Sequence, residues 1–311
     1  MGNSITKERR KKRIKKSTIL LYLMLLPGIL YIFINNYMPL PGLLIAFKRF
    51  NYSKGLWGSD WCGLKNFTYL FKTNDAWRIT KNTLLYNFTF IFLGNFIAVF
   101  IAIMLTYIRS EMSKKVYQTV ILIPYLISIT VVTFIVYAFL GQQSGFINCF
   151  LQKFGSNPIS WYTEAGYWPF ILVLVYLWKN FGYTSILYYA TAIGIDSSLY
   201  EAAMLDGANR FKQILHVTLP GLKKTIIIMV LLQVGKVFYS DFGLFYQVPM
   251  RSGLISSTTD TIDVFVYRSL SQLNDIGRAS AAGFLQSTLG FLLILGVNAF
   301  VRKIDEESAL F

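Results

Sequence analysis

Apolar residues fall along this chain in six long blocks separated by shorter polar stretches. The blocks run from about Thr18 to Pro39, Thr83 to Ile108, Val116 to Leu140, Tyr167 to Ala192, Thr225 to Gln247 and Ala279 to Val301. Each is close to or beyond the ~20 residues that a rise of ~1.5 Å per residue needs to cross ~30 Å of hydrocarbon. None alternates with the period of a barrel strand, and all are too long for one. Over such lengths in lipid, only a helix satisfies its own N–H and C=O groups. The pattern therefore predicts an all-α integral membrane protein with six transmembrane helices. A basic tail spans residues 1–17, a six-helix domain residues 18–301, and a short tail residues 302–311.

Charge sets the orientation. The dense run Lys7, Arg9, Arg10, Lys11, Lys12, Arg13, Lys15 and Lys16 precedes the first block, and no small-residue cleavage site follows that block, so the start does not read as a cleavable signal. Positive residues near span ends favour the cytoplasm, which puts both termini inside, with Arg302 and Lys303 beside the last block. The loops carrying Arg109, Lys114 and Lys115, and then Arg210, Lys212, Lys223 and Lys224, also fall inside. One segment goes the other way. Residues 48–81 fall outside yet carry Lys48, Arg49, Lys54, Lys65, Lys72, Arg78 and Lys81. Trp57, Trp61, Trp77, Trp161 and Trp168 lie in or beside external segments, where an interfacial aromatic belt is expected.

Composition narrows the function. Only 14% of the 311 residues are charged against 54% apolar, roughly half the ~25% charged content of soluble domains. The surplus of 30 Lys+Arg over 15 Asp+Glu therefore reads as loops facing lipid headgroups and cytoplasm rather than as a nucleic-acid surface. Two cysteines, Cys62 and Cys149, and one histidine, His216, offer neither a metal-ligand spacing nor a catalytic cluster. No phosphate-cradling GxxxxGK[ST] loop is present. Asp260 and Asp263 read as a capped, solvated external turn rather than a glycosidase pair. Two glycosylation sequons, at Asn66 and Asn87, read as chance. No catalytic residue and no metal ligand is expected.

The loop after the fourth block is more helical than a connector should be. Asp196, Ser197 and Ser198 can cap a helix that runs through Tyr200-Glu-Ala-Ala-Met-Leu205, with the Glu201 carboxylate near its N-terminus. Gly207 can take positive φ and end it. A second short helix follows from about Asn209 to Thr218, with Phe211, Leu215 and Thr218 on one face, and Pro220 stops it before the fifth block. This acidic and apolar knob could dock into a groove on a soluble partner or lie flat in the headgroups. An interfacial helix should be rich in Lys and Arg, whereas the first half here carries Glu201 and Asp206 and no base, which favours docking.

The segment Glu201-Ala202-Ala203, then three residues, Gly207, nine residues and Val217-x-Leu219-Pro220 resembles the EAA loop of permease subunits in binding-protein-dependent ABC importers. Val217 stands where the family pattern has isoleucine. Phrases such as Tyr37-Met-Pro39, Ile45-Ala-Phe-Lys48, Ile123-Pro-Tyr-Leu-Ile-Ser128 and Ala281-Ala-Gly-Phe-Leu-Gln-Ser287 extend the resemblance to the carbohydrate and oligosaccharide branch with its type I fold. Lys223 and Lys224 depart from that branch, where a proline often follows the position of Leu222. The resemblance implies an ATP-driven sugar importer subunit of the prokaryotic cell membrane that does no bond-breaking itself. It implies a second permease subunit, usually a different chain, a cytoplasmic ATPase dimer carrying ATP and Mg, and an external substrate-binding protein. It assigns ATPase coupling to Glu201, Ala202, Ala203, Asp206, Gly207, Leu219 and Pro220.

Charges within spans cost about 2.5–3.5 kcal/mol at a helix centre, so Lys179, Lys236 and Asp241 stand out. Tyr176, Lys179, Asn180 and Tyr183 share one face of the fourth block, and Gln233, Lys236 and Ser240 one face of the fifth. Aromatic planes stack on sugar C–H faces, and amides and charges bond hydroxyls. Lys179, Asn180, Tyr183, Tyr188, Tyr189, Gln233, Lys236 and Asp241 are thus candidates for the substrate pathway, with inter-subunit packing or snorkelling as the alternative. An ion-coupled transporter or channel acting without an ATPase is the rival reading. It should show inverted halves with broken helices, and no convincing pair of halves is seen. A membrane-embedded enzyme would need a constellation that one histidine does not supply.

Overall fold

The structure, a computed structural model, describes residues 16–305 and residue 309. Most of the basic N-terminal run and the last residues of the C-terminal tail lie outside the described residues. Among these, five helices are long and apolar enough to cross a membrane singly, and one sharply bent helix pair forms a sixth candidate.

Helix α1 (Lys16–Ile32) continues through a π turn, Phe33–Tyr37, to a 3-10 stretch, Leu40–Phe47. Its large apolar side chains from Leu20 to Ile34 are 48–71% exposed. A helix apolar on every side suits a span that meets lipid or another chain rather than its own bundle. Helix α2 (Asn74–Thr106) starts where Thr73 Oγ1 accepts the Ala76 N–H, well before the expected Thr83. Its 33 residues rise about 50 Å, so it extends beyond the hydrocarbon.

The third block is broken. Helices α3 (Glu111–Leu126) and α4 (Ile129–Leu140) meet at 93° rather than forming the straight span expected from Val116 to Leu140. Pro124 has no N–H to donate and crowds the preceding turn. Ile127 is extended, and Ser128 then caps α4 through the Val131 N–H.

Helix α5 (Trp168–Ala192) opens with Pro169 in its first turn, packs along α2 and crosses α3. The Phe90 and Tyr176 rings stack 3.7 Å apart. Gly182 makes the α3 crossing possible: a Cβ there would lie 1.7 Å from the Ile121 carbonyl oxygen. Trp168, Leu172 and Tyr188 are fully buried in the resulting core. Trp168 is therefore a core residue and half-buried Trp161 packs against that core, the two joined by a Trp168 Nε1–H to Trp161 carbonyl bond of 2.7 Å. Trp57, Trp61 and Trp77 are 66–75% exposed, as a belt requires.

Helix α6 (Ser197–Leu205) leads through Gly207 to α7 (Arg210–Gln213), a π turn (Ile214–Thr218) and α8 (Leu219–Val234). From Arg210 to Val234 the chain forms one membrane-length helical unit. The fifth span thus begins earlier than expected and ends at Val234, not Gln247. Residues 235–241 leave the helix, and three of their carbonyls are taken by side chains from other spans. Asn87 Nδ2 donates to Val237 (2.9 Å) and Tyr239 (2.8 Å), and Gln286 Nε2 to Phe238 (2.8 Å). Short α9 (Phe242–Gln247), α10 (Ile262–Ser271) and the last span α11 (Ile276–Ile304) complete the described chain. The external segment folds back as a two-residue antiparallel ladder, Lys48 opposite Trp61 and Arg49 opposite Asp60.

Candidate functional site

The loop between α5 and α8 is a rigid elbow. Asp196 caps α6 by accepting the Ser198 N–H at 2.9 Å, and this bond holds its carboxyl below the usual aspartate range. Glu201 is the fifth residue of α6, in its second turn, so the N-terminal charge is Asp196 rather than Glu201. Gly207 sits at φ +74° and closes a Schellman end, with Ala208 N–H on Ala203 O (2.9 Å) and Gly207 N–H on Met204 O (3.0 Å). Asn209 then caps α7 through the Lys212 N–H at 2.9 Å.

Pro220 does not stop the second helix. The wider π turn over Ile214–Thr218 shifts the hydrogen-bond register just before the proline, and the helix runs on into the fifth span. Phe211, Leu215 and Thr218 accordingly do not share a fate: Phe211 is 71% and Leu215 48% exposed, while Thr218 is buried and bonds Tyr200 at 3.0 Å. The elbow is tied down at three further points. Gln213 Nε2 donates to the Ala208 carbonyl, the Arg210 guanidinium lies over the Tyr107 ring, and Leu222 packs fully buried with Ile103 and Ala192. Its outer surface stays open. Leu205 is 90% exposed and Met204 57%, beside exposed Glu201, Ala202 and Asp206. Leu219 is half-buried.

The pathway candidates separate into different roles. Lys179 Nζ donates to the carbonyls of Pro124, Tyr125 and Ile127 (3.4, 3.2 and 2.5 Å). It neutralises the C-terminal end of α3 at the bend, where orphan carbonyls and the helix dipole favour a cation. Tyr183, 44% exposed, stacks on Tyr125 beside it. Tyr188 is fully buried and donates to Asn95 Oδ1 (2.5 Å), and Asn95 Nδ2 donates to Gln233 Oε1 (2.7 Å). This chain of bonds joins α5, α2 and α8, and leaves Gln233 and Asn180 lining a cleft of about 20 Å³ with Thr184. That is room for about one water. Asp241 caps α9 through the Leu244 N–H. Lys236 is exposed on the break after α8.

Asp260 and Asp263 are not a solvated turn. Asp260 is 8% exposed and receives both guanidinium nitrogens of Arg268 at 2.7 and 2.8 Å. Asp263 accepts the Ser240 N–H and hydroxyl and the Gln286 amide. Sequence reasoning missed Asn87, Asn95 and Gln286, which hold the broken fifth span and the core. Their signal was an amide inside an apolar block. Asn66, in the charged external segment, carried no such signal; its Nδ2 donates to the carbonyls of Ile45, Ala46 and Lys48. Cys62 and Cys149 are both free thiols.

With this geometry in hand, likeness to known proteins becomes informative. Residues 79–306 match the family described as binding-protein-dependent transport system inner membrane component. Protein LplB of Bacillus subtilis (strain 168) is 33% identical over 287 residues, 92% of this chain and 90% of that protein. The polygalacturonan/rhamnogalacturonan transport system permease protein YteP of the same organism is 29% identical over 97% of this chain and 94% of its own length. The fold superposes on a chain of a bacterial ABC transporter involved in the import of the acidic polysaccharide alginate, with TM-score 0.85, 30% identity, and 93% of this chain and 97% of that one covered. A crystal structure of a bacterial alginate ABC transporter with its alginate pentasaccharide-bound periplasmic protein gives TM-score 0.84 and 29% identity over 93% and 96% of the two chains.

Proposed function

Since this chain belongs to the family of binding-protein-dependent transport system inner membrane components, we propose that it carries an oligosaccharide inward and that its elbow couples this to ATP hydrolysis. It is a multi-pass bacterial membrane protein and a permease subunit of an ABC importer, not an enzyme, and it works with a substrate-binding protein. Coupling rests on residues 196–221. A soluble ATPase dimer, carrying ATP and Mg, receives the exposed Leu205 tip with Glu201, Ala202, Ala203 and Asp206. A second, different permease chain completes the pathway, to which Tyr183, Gln233, Asn180 and Lys236 contribute. Oligosaccharide cargo is supported by what YteP and the alginate transporter handle.

The observation that carries this reading is mechanical. The tip is exposed and apolar, yet it is fused through the π turn to a helix that reaches Val234 deep in the bundle. A push on Leu205 is therefore delivered to the fifth span as a lever rather than absorbed by a loose loop, and differential contacts at the tip can bias the bundle between two states.

Gly207 tests it. Proline cannot adopt φ +74° and removes the N–H bonded to Met204, whereas an alanine Cβ meets no atom within 4 Å and bears only the strain of positive φ, about 1 kcal/mol. Gly207→Pro should leave assembly of the membrane subunits measurable and abolish binding-protein-stimulated ATP hydrolysis, while Gly207→Ala retains most of it. Stimulated hydrolysis at the wild-type rate in Gly207→Pro complexes would remove the coupling role.

A further inference from the structure

The external segment between the third and fourth spans carries an apolar surface that transport does not use. After α4 the chain turns tightly over 141–145, where a Cβ on Gly145 would lie 2.2 Å from the Gly141 carbonyl oxygen, and then forms a short helix, Phe146–Lys153. One face of this helix is fixed to the protein. Asn148 is fully buried. Its Nδ2 donates to the carbonyls of Gln142 (3.1 Å) and Ile159 (2.8 Å), and its Oδ1 accepts the Ile159 N–H (3.0 Å) and the Trp161 Nε1–H (3.1 Å). The other face is bare. Phe146, Phe150 and Phe154, each one turn from the next, are 64, 53 and 72% exposed.

The spans that the helix touches set its depth. Leu140, which ends α4, and Trp168, which opens α5, belong to one buried cluster, and Ile147 and Trp161 pack against it. The Phe146 ring meets the Phe139 ring edge-on at 5.8 Å. The helix therefore lies beside the outer ends of two spans, at the level where their apolar blocks stop. Between helix and spans runs a groove of about 460 Å³, lined by Phe139, Leu140, Ile147, Trp161, Phe170 and Leu174 among others. Phe170 and Leu174 are themselves exposed, so the stripe, the groove and the outer face of α5 form one apolar surface. Residues 141–167 hold two charges in all, Lys153 and Glu164.

We propose that this helix is an interfacial anchor: its phenylalanine stripe is sunk into the outer leaflet of the bilayer, with lipid chains filling the groove beneath it and Lys153 snorkelling to the headgroups. Two observations favour lipid over protein as the partner. Membrane helices that pack on one another do so through small residues, whereas this surface is Phe, Leu and Trp. A binding protein that comes and goes would leave the stripe in water between visits, while lipid covers it throughout.

The test uses the assembled importer in phosphatidylcholine nanodiscs, with Cys62 and Cys149 replaced by serine and a spin label placed at Phe150→Cys, Phe154→Cys or Gln152→Cys. Power saturation compares collisions with oxygen, which concentrates in hydrocarbon, and with a nickel chelate, which stays in water. The oxygen-to-nickel ratio at 150 and 154 should exceed that at 152 by at least about threefold, as for side chains on opposite faces of an interfacial helix, and binding protein should leave it unchanged. Labelling native Cys149 in a chain with Cys62 alone replaced keeps the stripe intact, and its ratio should also exceed that at 152. Nickel-favoured labels at 150 and 154 would overturn the proposal by placing the stripe in water. Labels reached by neither reagent would overturn it by placing the stripe against the second permease chain, and a ratio that binding protein changes would do so by placing it against that protein. The proposal does not rest on the coupling role of the elbow, and co-purification of the ATPase with each variant shows that the variant is folded.

Discussion

At the level of single residues, the most instructive side chain is Lys179. A charge inside an apolar block was legible from sequence as an exception needing an explanation, with the substrate pathway and packing or snorkelling as the two candidates. The structure gives it a different task, because the carbonyls it meets belong to another helix whose bend no periodicity announces. Pro124 was visible, but a proline near a helix end does not specify a 93° turn. Lys179→Met should leave the three carbonyls without a cation and destabilise the bend by about 1–3 kcal/mol. Lowered thermal stability of the purified subunit complex would register it, with Lys179→Arg restoring most of the loss; a Lys179→Met complex as stable as wild type would show the bend to be held by packing alone. Gly182 makes a sharper prediction. A methyl group there collides with the Ile121 carbonyl, so Gly182→Ala should cost about 1–3 kcal/mol through forced separation of α3 and α5, seen as reduced membrane yield and a lower melting temperature. Gly283, with open space around its Cβ position, is the control that should tolerate alanine.

Among the elements, the elbow was read correctly in kind and wrongly in its ending. The alternation of helix formers, glycine and capping residues specified two helices with Gly207 between them, because caps and positive φ are local properties. Pro220 was read by the same local logic as a stop. It is instead accommodated by the π turn before it, which depends on how Thr218, Tyr200 and Leu222 pack against neighbouring helices. That packing is tertiary and leaves no mark in the local sequence. The difference changes the mechanism, since a stop would isolate the elbow from the fifth span and a continuous helix joins them. The opposite error occurs at the far end of the same span. Residues 235–247 are apolar enough to read as helix, and only the amides of Asn87 and Gln286, distant in sequence, explain how a break is held there.

For the whole molecule, the number of apolar blocks and their order followed from hydropathy, and the elbow from its caps and glycine. The arrangement in three dimensions did not. Helix α1 was indistinguishable from the other blocks in sequence, yet it stands apart with its large side chains exposed, while α2 and α5 form the packed centre. Burial of Trp168 and exposure of Trp57 likewise follow from where helices meet, not from residue type. The aggregate picture is a bundle packed around α2 and α5, with a continuous helical arm running from the elbow into it.

The account depends most on the lever meeting a soluble ATPase. Oxidative cross-linking of Leu205→Cys to single cysteines placed around the cleft of the ATPase, in the assembled importer with its native Cys62 and Cys149 replaced by serine, tests this directly. A cross-link to the ATPase whose yield changes between nucleotide-free and ATP-bound complexes is the predicted result. A Leu205→Cys that cross-links to no ATPase cysteine in either state, and is labelled instead by a lipid-confined thiol reagent, would contradict it.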